Sequence, residues 1–594
     1  MNHMQSGRTL GLVIAVGLVV LGAWADTVDF TGVPVVGPTE VATQDKFHFA
    51  ILGDKTSGGE GKWPIFDRAV DEINLQAPNF VITVGDQIPG HMQERAAWDA
   101  EWAEYLEHAR RLEMPLVLIP GNHDIANLAC HRFWKEDFGP TYFAFDYADV
   151  HFLVLNTEEE RLDGRGPTWQ KMMRFAETDL AAHRGSRHTF VFFHKPMWDD
   201  PRYAQDWARL SRALGDRPHT VVAGHEHYLM TERRGDGLYV LQSATGGGLH
   251  ESEVRAIGEF HSFGYVTVDG GEVSYAVVEP GGGVWPVDIA PASFRKAIAH
   301  QIVTLDAETP EDVTAPVVHV RPVLRLHNVL DEPIAVEIQF TGLEESGWTP
   351  AHDTSADGVT VSLAPGARAA RPLDFTVEQA RLPYPPGVAW RVQYQGAWLE
   401  NERYPMVQET ALPLYPAQAW RVVPNWKVVG PFGLGDIDTG PLPDSPEKAN
   451  ANFYRRFGPE EGFDPERVYA DGRRWFDVEN QGRGLLNFNG ILGTLDHVLG
   501  YALCAIRAPE AQRVHAVVYS DNYAQAVLNG ELVESAQDFG TPCGFLYVPL
   551  DLRAGWNTLV MKLINNHGDW FLRALIADPN ENLDFAAAPP ENGS

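Results

Sequence analysis

Six side chains that bind metal ions well, Asp54, Asp86, Asn122, His194, His225 and His227, each stand just beyond an apolar run of the chain. Carboxylate and amide oxygens together with imidazole nitrogens make a mixed donor set. Such a set suits one or two borderline divalent ions such as Mn, Fe, Zn or Co better than Ca. Singly, none of these residues is persuasive, because a strand-end Asp is usually a turn or helix cap and an isolated His usually makes a structural hydrogen bond. Capping alone does not explain ligand types at five strand ends, with carboxylates early and histidines late. Directly after Asn122 come His123 and Asp124, an imidazole and a carboxylate in the same turn, which are residue types able to move a proton.

Each of these residues needs an element to hold it. Phe47 to Leu52 reads as a strand ending at Gly53 and Asp54, and Asn79 to Val84 as one ending at Gly85 and Asp86. Leu116 to Ile119 precedes Gly121 and Asn122, Thr189 to Phe193 precedes His194, and Thr220 to Ala223 precedes the stretch Gly224 to His227. A sixth run, Val150 to Leu155, ends without a clear ligand. Between the early strands, Ile65, Ala69 and Ile73, with Phe66 and Val70, recur at helical spacing, as do Trp98, Trp102, Tyr105, Ala109 and Leu112. Strands alternating with helices predict an α/β layer architecture, in which ligands collect where the carboxyl ends of strands meet loops.

The motifs Gly53-Asp54, Gly85-Asp86, Gly121-Asn122-His123-Asp124, His194 and Gly224-His225-Glu226-His227 resemble, in order and spacing, those of the calcineurin-like metallophosphoesterases. The resemblance implies that residues 45–300 fold as a four-layer α/β domain, a β-sandwich flanked by helices, around two adjacent metals. It implies that Asp86 bridges both ions, that Asn122, His194 and His225 hold the second, and that Asp54 and His227 hold the first. His123 would be a catalytic group outside the metal shell, oriented by Asp124. The implied activity is hydrolysis of a small phosphate ester, mono- or diester, by a metal-activated hydroxide. There is one departure: the family places a His two residues after its first Asp, whereas here Lys55 and Thr56 follow Asp54. A threonine hydroxyl is a poor neutral donor. The first ion could then be weak and completed by water, absent, or held by a replacement such as His91 or His250. Lys55 could bring positive charge to a substrate phosphate or point into solvent. The competing reading is a non-catalytic or weakly active surface binding protein with an incomplete first metal site.

At 594 residues the chain is too long for a single core. Residues 1–25 read as a signal peptide, with Arg8, the apolar run Leu10 to Gly22, and small residues Ala23 and Ala25 at a cleavage site. The expectation is therefore an exported protein, with no transmembrane segment in the mature chain. Alternating runs over 315–415 predict a β-sandwich domain. Residues 418–580 resemble the galactose-binding-like jelly rolls attached to many secreted hydrolases. There Trp570 could offer carbohydrate a stacking edge if exposed, although a buried Trp is commoner. Cys130 stands alone, while Cys504 and Cys543 could pair or remain buried free thiols. The net charge of -33 leaves no basic stripe for a phosphate backbone and argues against nucleic-acid partners.

Overall fold

The computed structural model describes residues 27–351, 359–400, 410–411, 413–433, 456–480, 484–493, 495, 498–520, 523–535, 544–565 and 570–590. The expected signal segment 1–25 and Cys543 lie outside the described residues. In chain order the principal strands of the first domain are β1 (Lys46–Leu52), β2 (Phe80–Thr83), β3 (Leu116–Val117), β4 (Phe143–Tyr147), β5 (Val150–Val154) and β6 (His188–Phe192). They continue with β7 (His219–Ala223), β8 (Met230–Arg234), β9 (Gly237–Leu241), β10 (Phe263–Asp269) and β11 (Glu272–Val278).

Two sheets result. One runs in the order β11, β10, β1, β2, β3, extended at its edges by Val284–Pro286 and Val35–Val36; the other runs β8, β9, β7, β6, β5, β4. The metal-ligand candidates follow strands of the parallel sets, β1 to β3 in the first sheet and β6 and β7 in the second. Strands β2, β5, β6 and β7 are buried along their whole length. Parallel strands covered on both faces need apolar residues at every position, so these segments read as continuous apolar runs. Side chains alternate between the faces. Phe49 and Ile51 enter the core between the sheets, where Phe49 meets Phe152 and Phe190 of the opposite sheet at 5.4 and 5.0 Å between ring centroids. Ala50 and Leu52 face the helices outside.

Those helices are α1 (Trp63–Gln76), α2 (Arg95–Ala109) and α3 (Leu128–Asp137) on the first sheet, and α4 (Pro167–Ala182) and α5 (Ala204–Leu214) on the second. Phe66, Ala69, Val70 and Ile73 form the buried face of α1, and Trp98, Trp102, Tyr105 and Ala109 that of α2, as their spacing predicts. Asn127 begins α3 by accepting from the amides of Ala129 and Cys130, a cap worth about 1 kcal/mol. The first domain is thus the expected four-layer sandwich. Antiparallel β10 and β11 complete its first sheet beside β1, although neither follows a ligand motif.

The rest of the described chain is rich in β-sheet, in sheets of three, three, five, five and seven strands. One apolar cluster joins Phe294, Ile298 and Ile302 to Leu324, Val336 and Val388, and reaches Tyr547 and Ala577 near the end of the chain. The Asn529-Gly530 pair turns between Tyr523–Leu528 and Glu531–Ser535, both residues with positive φ, as a two-residue hairpin requires. Trp570 is fully buried against Phe488, so the stacking edge for carbohydrate is not presented; the indole fills core. Cys130 and Cys504 are buried free thiols. Among the described residues no helix is long and apolar enough to cross a membrane.

Candidate metal centre

All six ligand candidates meet at one end of the sandwich, where the carboxyl ends of the parallel strands of both sheets converge. The backbone there is forced into unusual shapes. Asp86, His225 and His227 have φ of 55°, 74° and 58°, a region that costs a non-glycine residue about 1–3 kcal/mol and that clusters at functional sites. The strand-exit glycines have a steric task as well. A Cβ at Gly121 would lie 2.2 Å from Asp86 Oδ1, and one at Gly224 would lie 2.3 Å from Asp54 Oδ1. Any side chain at either position would push the carboxylate out of place.

Asp86, His194 and His225 place donor atoms within 4.8 Å of one another. The Nε2 of His194 lies 2.9 Å from Asn122 Oδ1, 3.2 Å from Asp86 Oδ2 and 3.2 Å from His225 Nδ1. On the far side of the ring, Nδ1–H donates to the carbonyl of Val84 at 2.8 Å, which turns Nε2 inward as metal-bound histidines require. Burial alone would raise Asp86, but the charge of His194 and its hydrogen bond hold this carboxyl far below the usual range. Burial works against the His194 cation, yet Asp86 lifts it to about 10. Desolvation, together with the charge of His194 that it faces, pushes the pKa of His225 well down. A divalent cation bound here would displace the His194 proton.

A second group shares Asp86. Asp54, Asp86 and His227 also bring donor atoms within 4.8 Å of one another. His227 Nε2 is 3.1 Å from Asp54 Oδ2, while its Nδ1–H donates to the carbonyl of Gly248. Burial disfavours the His227 cation, but the hydrogen bond to Asp54 outweighs it and raises the pKa. The other carboxylate oxygen, Asp54 Oδ1, is buried without a hydrogen-bond partner. Such an orphan is costly for a charged group, and a cation would satisfy it. The donor chemistry and this oxygen fit divalent ions held by Asp54, Asp86, Asn122, His194, His225 and His227.

The position two beyond Asp54 is where the two groups differ. The amides of Lys55 and Thr56 donate to the carbonyl of Asp86 at 2.9 and 3.0 Å, and Thr56 Oγ1 is buried without a partner. Neither proposed replacement joins the convergent donors. His91 stands edge-on to His123 at 4.9 Å between centroids, and His250 sits on the surface 3.4 Å from Glu259. Lys55 does not enter solvent. Its ammonium lies 3.8 Å over the ring of Trp63, and burial lowers its pKa.

His123 and Asp124 also part from expectation. Asp124 is fully buried, and its oxygens accept from the amides of Asp86 and Gly121 at 2.8 Å, Gln87 at 3.0 Å and Ile88 at 3.3 Å. With both oxygens taken by the backbone, Asp124 does not orient His123. The carbonyl of Pro89 does so, accepting from Nδ1–H at 2.6 Å, which leaves Nε2 facing Asp86 at 4.0 Å on a partly exposed ring. Asp124 acts one step back, by fixing the loop that carries both Asp86 and Pro89.

Sequence reading missed a buried ion-pair group beside His194. Lys195 lies 2.9 Å from Glu158, which also pairs with Arg161. Burial would raise Glu158, but these cations hold it well below the carboxylate range. The available signal was the charged run Glu158 to Arg161 directly after strand β5, the one strand without a clear ligand. Gln87 was missed too; its amide donates to Thr83 and to the carbonyl of Ile119, tying two ligand-bearing loops together.

Residues 47–229 match the family model described as calcineurin-like phosphoesterase. The human serine/threonine-protein phosphatase CPPED1 is 29% identical over 225 residues, covering 33% of this chain and 69% of the relative, and the mouse protein is 25% identical over 224 residues, with the same coverage. Among solved structures, a dimetal phosphatase from Danio rerio aligns at 13% identity and TM-score 0.32, covering 39% of this chain and 97% of that one. GAP50, the anchor in the inner membrane complex of Plasmodium, aligns at 14% identity and TM-score 0.33, covering 40% and 86%. Residues 47–229 thus carry a calcineurin-like phosphoesterase domain, and the phosphatase relatives support a phosphoric ester hydrolase.

Proposed function

We propose that the protein is an exported, metal-dependent hydrolase of small phosphate mono- or diesters. The observation that carries this reading is the convergence of Asp54, Asp86, Asn122, His194, His225 and His227 at one sheet end, with His123 Nε2 free beside them. When bound, divalent ions would supply Lewis-acid polarisation of the phosphoryl group and acidify a water molecule. Asp86 belongs to both donor groups, so it sets their spacing. His194 and His227, each anchored through Nδ1, keep their Nε2 atoms inward. His123, anchored through Nδ1 on Pro89, presents Nε2 where a general acid would meet the departing alkoxide, a role worth about a hundredfold or more. The run Leu10 to Gly22 with Ala23 and Ala25 supports export. The stretches 315–415 and 418–580 are read as two accessory β-sandwich domains, the second of jelly-roll type.

Thr56 favours a second reading, a surface binding protein whose first ion is lost. The two readings separate in a screen of mono- and diester substrates with Mn, Fe, Zn or Co, using the mature protein and its Asp86→Asn variant. Metal-dependent turnover that disappears in the variant supports the hydrolase. Equal residual rates in both proteins support the binding protein.

A further inference from the structure

Residues 156–164 connect the hydrolytic centre to the C-terminal β-rich stretch 418–580. Near the start of this segment, Thr157 Oγ1 accepts from the amide of Lys195 at 3.3 Å, and the Lys195 ammonium lies 2.9 Å from buried Glu158. Lys195 directly follows His194, and its charge bears on His225. Arg161 pairs through Nε with Glu158 at 2.5 Å, while its Nη1 donates to the carbonyl of Ala126 at 3.3 Å. Ala126 stands three residues beyond His123. One guanidinium thus ties the His194 loop, through Glu158, to the loop that carries His123. A planar fork reaches both acceptors at once, which the single ammonium of a lysine does not reproduce.

The far end of the segment is a short helix, Glu160–Asp163, that stops at Gly164 with φ of 64°. It packs against another short helix, Phe488–Leu492. The two chains meet backbone to backbone: a Cβ at Gly164 would lie 3.0 Å from the carbonyl oxygen of Asn489 and 3.5 Å from that of Gly490. The helix from Phe488 is itself fixed to the C-terminal core. Phe488 is buried with its ring 5.1 Å from that of Trp570, and the amides of Phe488 and Asn489 donate to the Trp570 carbonyl at 2.8 and 3.3 Å. Asn487 caps the helix, accepting from the amide of Gly490 at 3.3 Å. A continuous series of packed and hydrogen-bonded groups therefore runs from the Trp570 core through Gly164 and Arg161 to the His123 loop.

We propose that the C-terminal stretch is a working part of the hydrolytic centre: it seats the Glu160–Asp163 helix, and Arg161, a positioning residue, passes that constraint to the loop of His123. The effect on turnover rests on the hydrolase reading; the docking of the two helices does not. Misplacing a reacting group by about 1 Å costs up to about a hundredfold in rate, with the metal ligands left intact. When the misplaced group is a proton donor, the loss falls most on esters with poor leaving groups.

The test uses the full chain with saturating Mn, on p-nitrophenyl and alkyl esters of phosphate, mono- and diester, with metal content and hydrogen exchange of amides 157–166 measured alongside. Arg161→Lys should lower kcat on the alkyl esters by about tenfold or more, with a smaller loss on the p-nitrophenyl esters and unchanged metal content. Asn487→Ala and Phe488→Leu, both in the C-terminal stretch, should give the same selective loss and faster exchange at 157–166. If both speed exchange of their own helix while amides 157–166 and the ratio of alkyl to p-nitrophenyl rates stay at wild-type values, the C-terminal stretch has no part in turnover and the proposal is overturned. An equal loss on all esters with a lower Tm makes the contact merely structural, which overturns it as well. A wild type without metal-dependent turnover removes the hydrolase reading and the effect on turnover with it, and exchange at 157–166 still decides whether the two helices are coupled. The two C-terminal variants differ in severity, so misfolding of Phe488→Leu leaves Asn487→Ala decisive.

Discussion

The two halves of the hydrolytic centre share Asp86 but are not equally furnished. One half gathers Asn122, His194 and His225 around it; the other has Asp54 and His227, with Thr56 at the position where the family carries a histidine. The first half is satisfied internally, each donor facing another at hydrogen-bond distance. The second leaves Asp54 Oδ1 and Thr56 Oγ1 buried without partners. A buried oxygen without a partner is costly, and a cation beside Asp54 would satisfy it.

Removing the residue common to both halves should have the largest effect. Asn tolerates the left-handed backbone at position 86, so Asp86→Asn should keep the fold while lowering hydrolysis well beyond the roughly 10–100-fold that loss of an outer-shell partner costs. Steady-state rates and metal content check this. Next in size is Asp124→Ala, which strands the amides of Asp86, Gln87 and Gly121 and should cost about 3 kcal/mol or more of stability, read from urea unfolding. If stability hardly changes, Asp124 is not the hub of this loop.

His123→Ala tests whether proton delivery is separate from metal binding. Turnover should fall by about a hundredfold while metal content stays at the wild-type level, with the larger loss on esters of poorer leaving groups. The smallest effect tests the asymmetry itself. Thr56→His should reduce the metal concentration for half-maximal activity by about tenfold, or ~1.4 kcal/mol, partly offset by overpacking because Thr56 is buried. An unchanged metal dependence would mean that the halves do not differ in affinity.

Much of this centre was legible before any coordinates. The apolar runs ending in Asp54, Asp86, Asn122, His194 and His225 to His227 mark both the residues that converge and the parallel strands, because a strand buried on both faces must be apolar at every position. What patterning missed is informative. Strands β10 and β11 complete the first sheet by antiparallel pairing, without chemistry at their ends to draw notice. The Glu158, Lys195 and Arg161 group was hidden because charges at positions 158, 161 and 195 look solvated until folding buries them together.

The sequence by itself determined the ligand types, their order along the chain, and the departure at Thr56, since these are properties of residue identity and spacing. Tertiary structure alone decided which partner each ligand-bearing loop has. Asp124 holds the backbone of the Asp86 loop and not His123, Pro89 sets the imidazole, Lys55 lies on Trp63, and Trp570 fills core. The physical reason is that hydrogen bonds and burial depend on distances between segments far apart in the chain. No local pattern of residues encodes those distances.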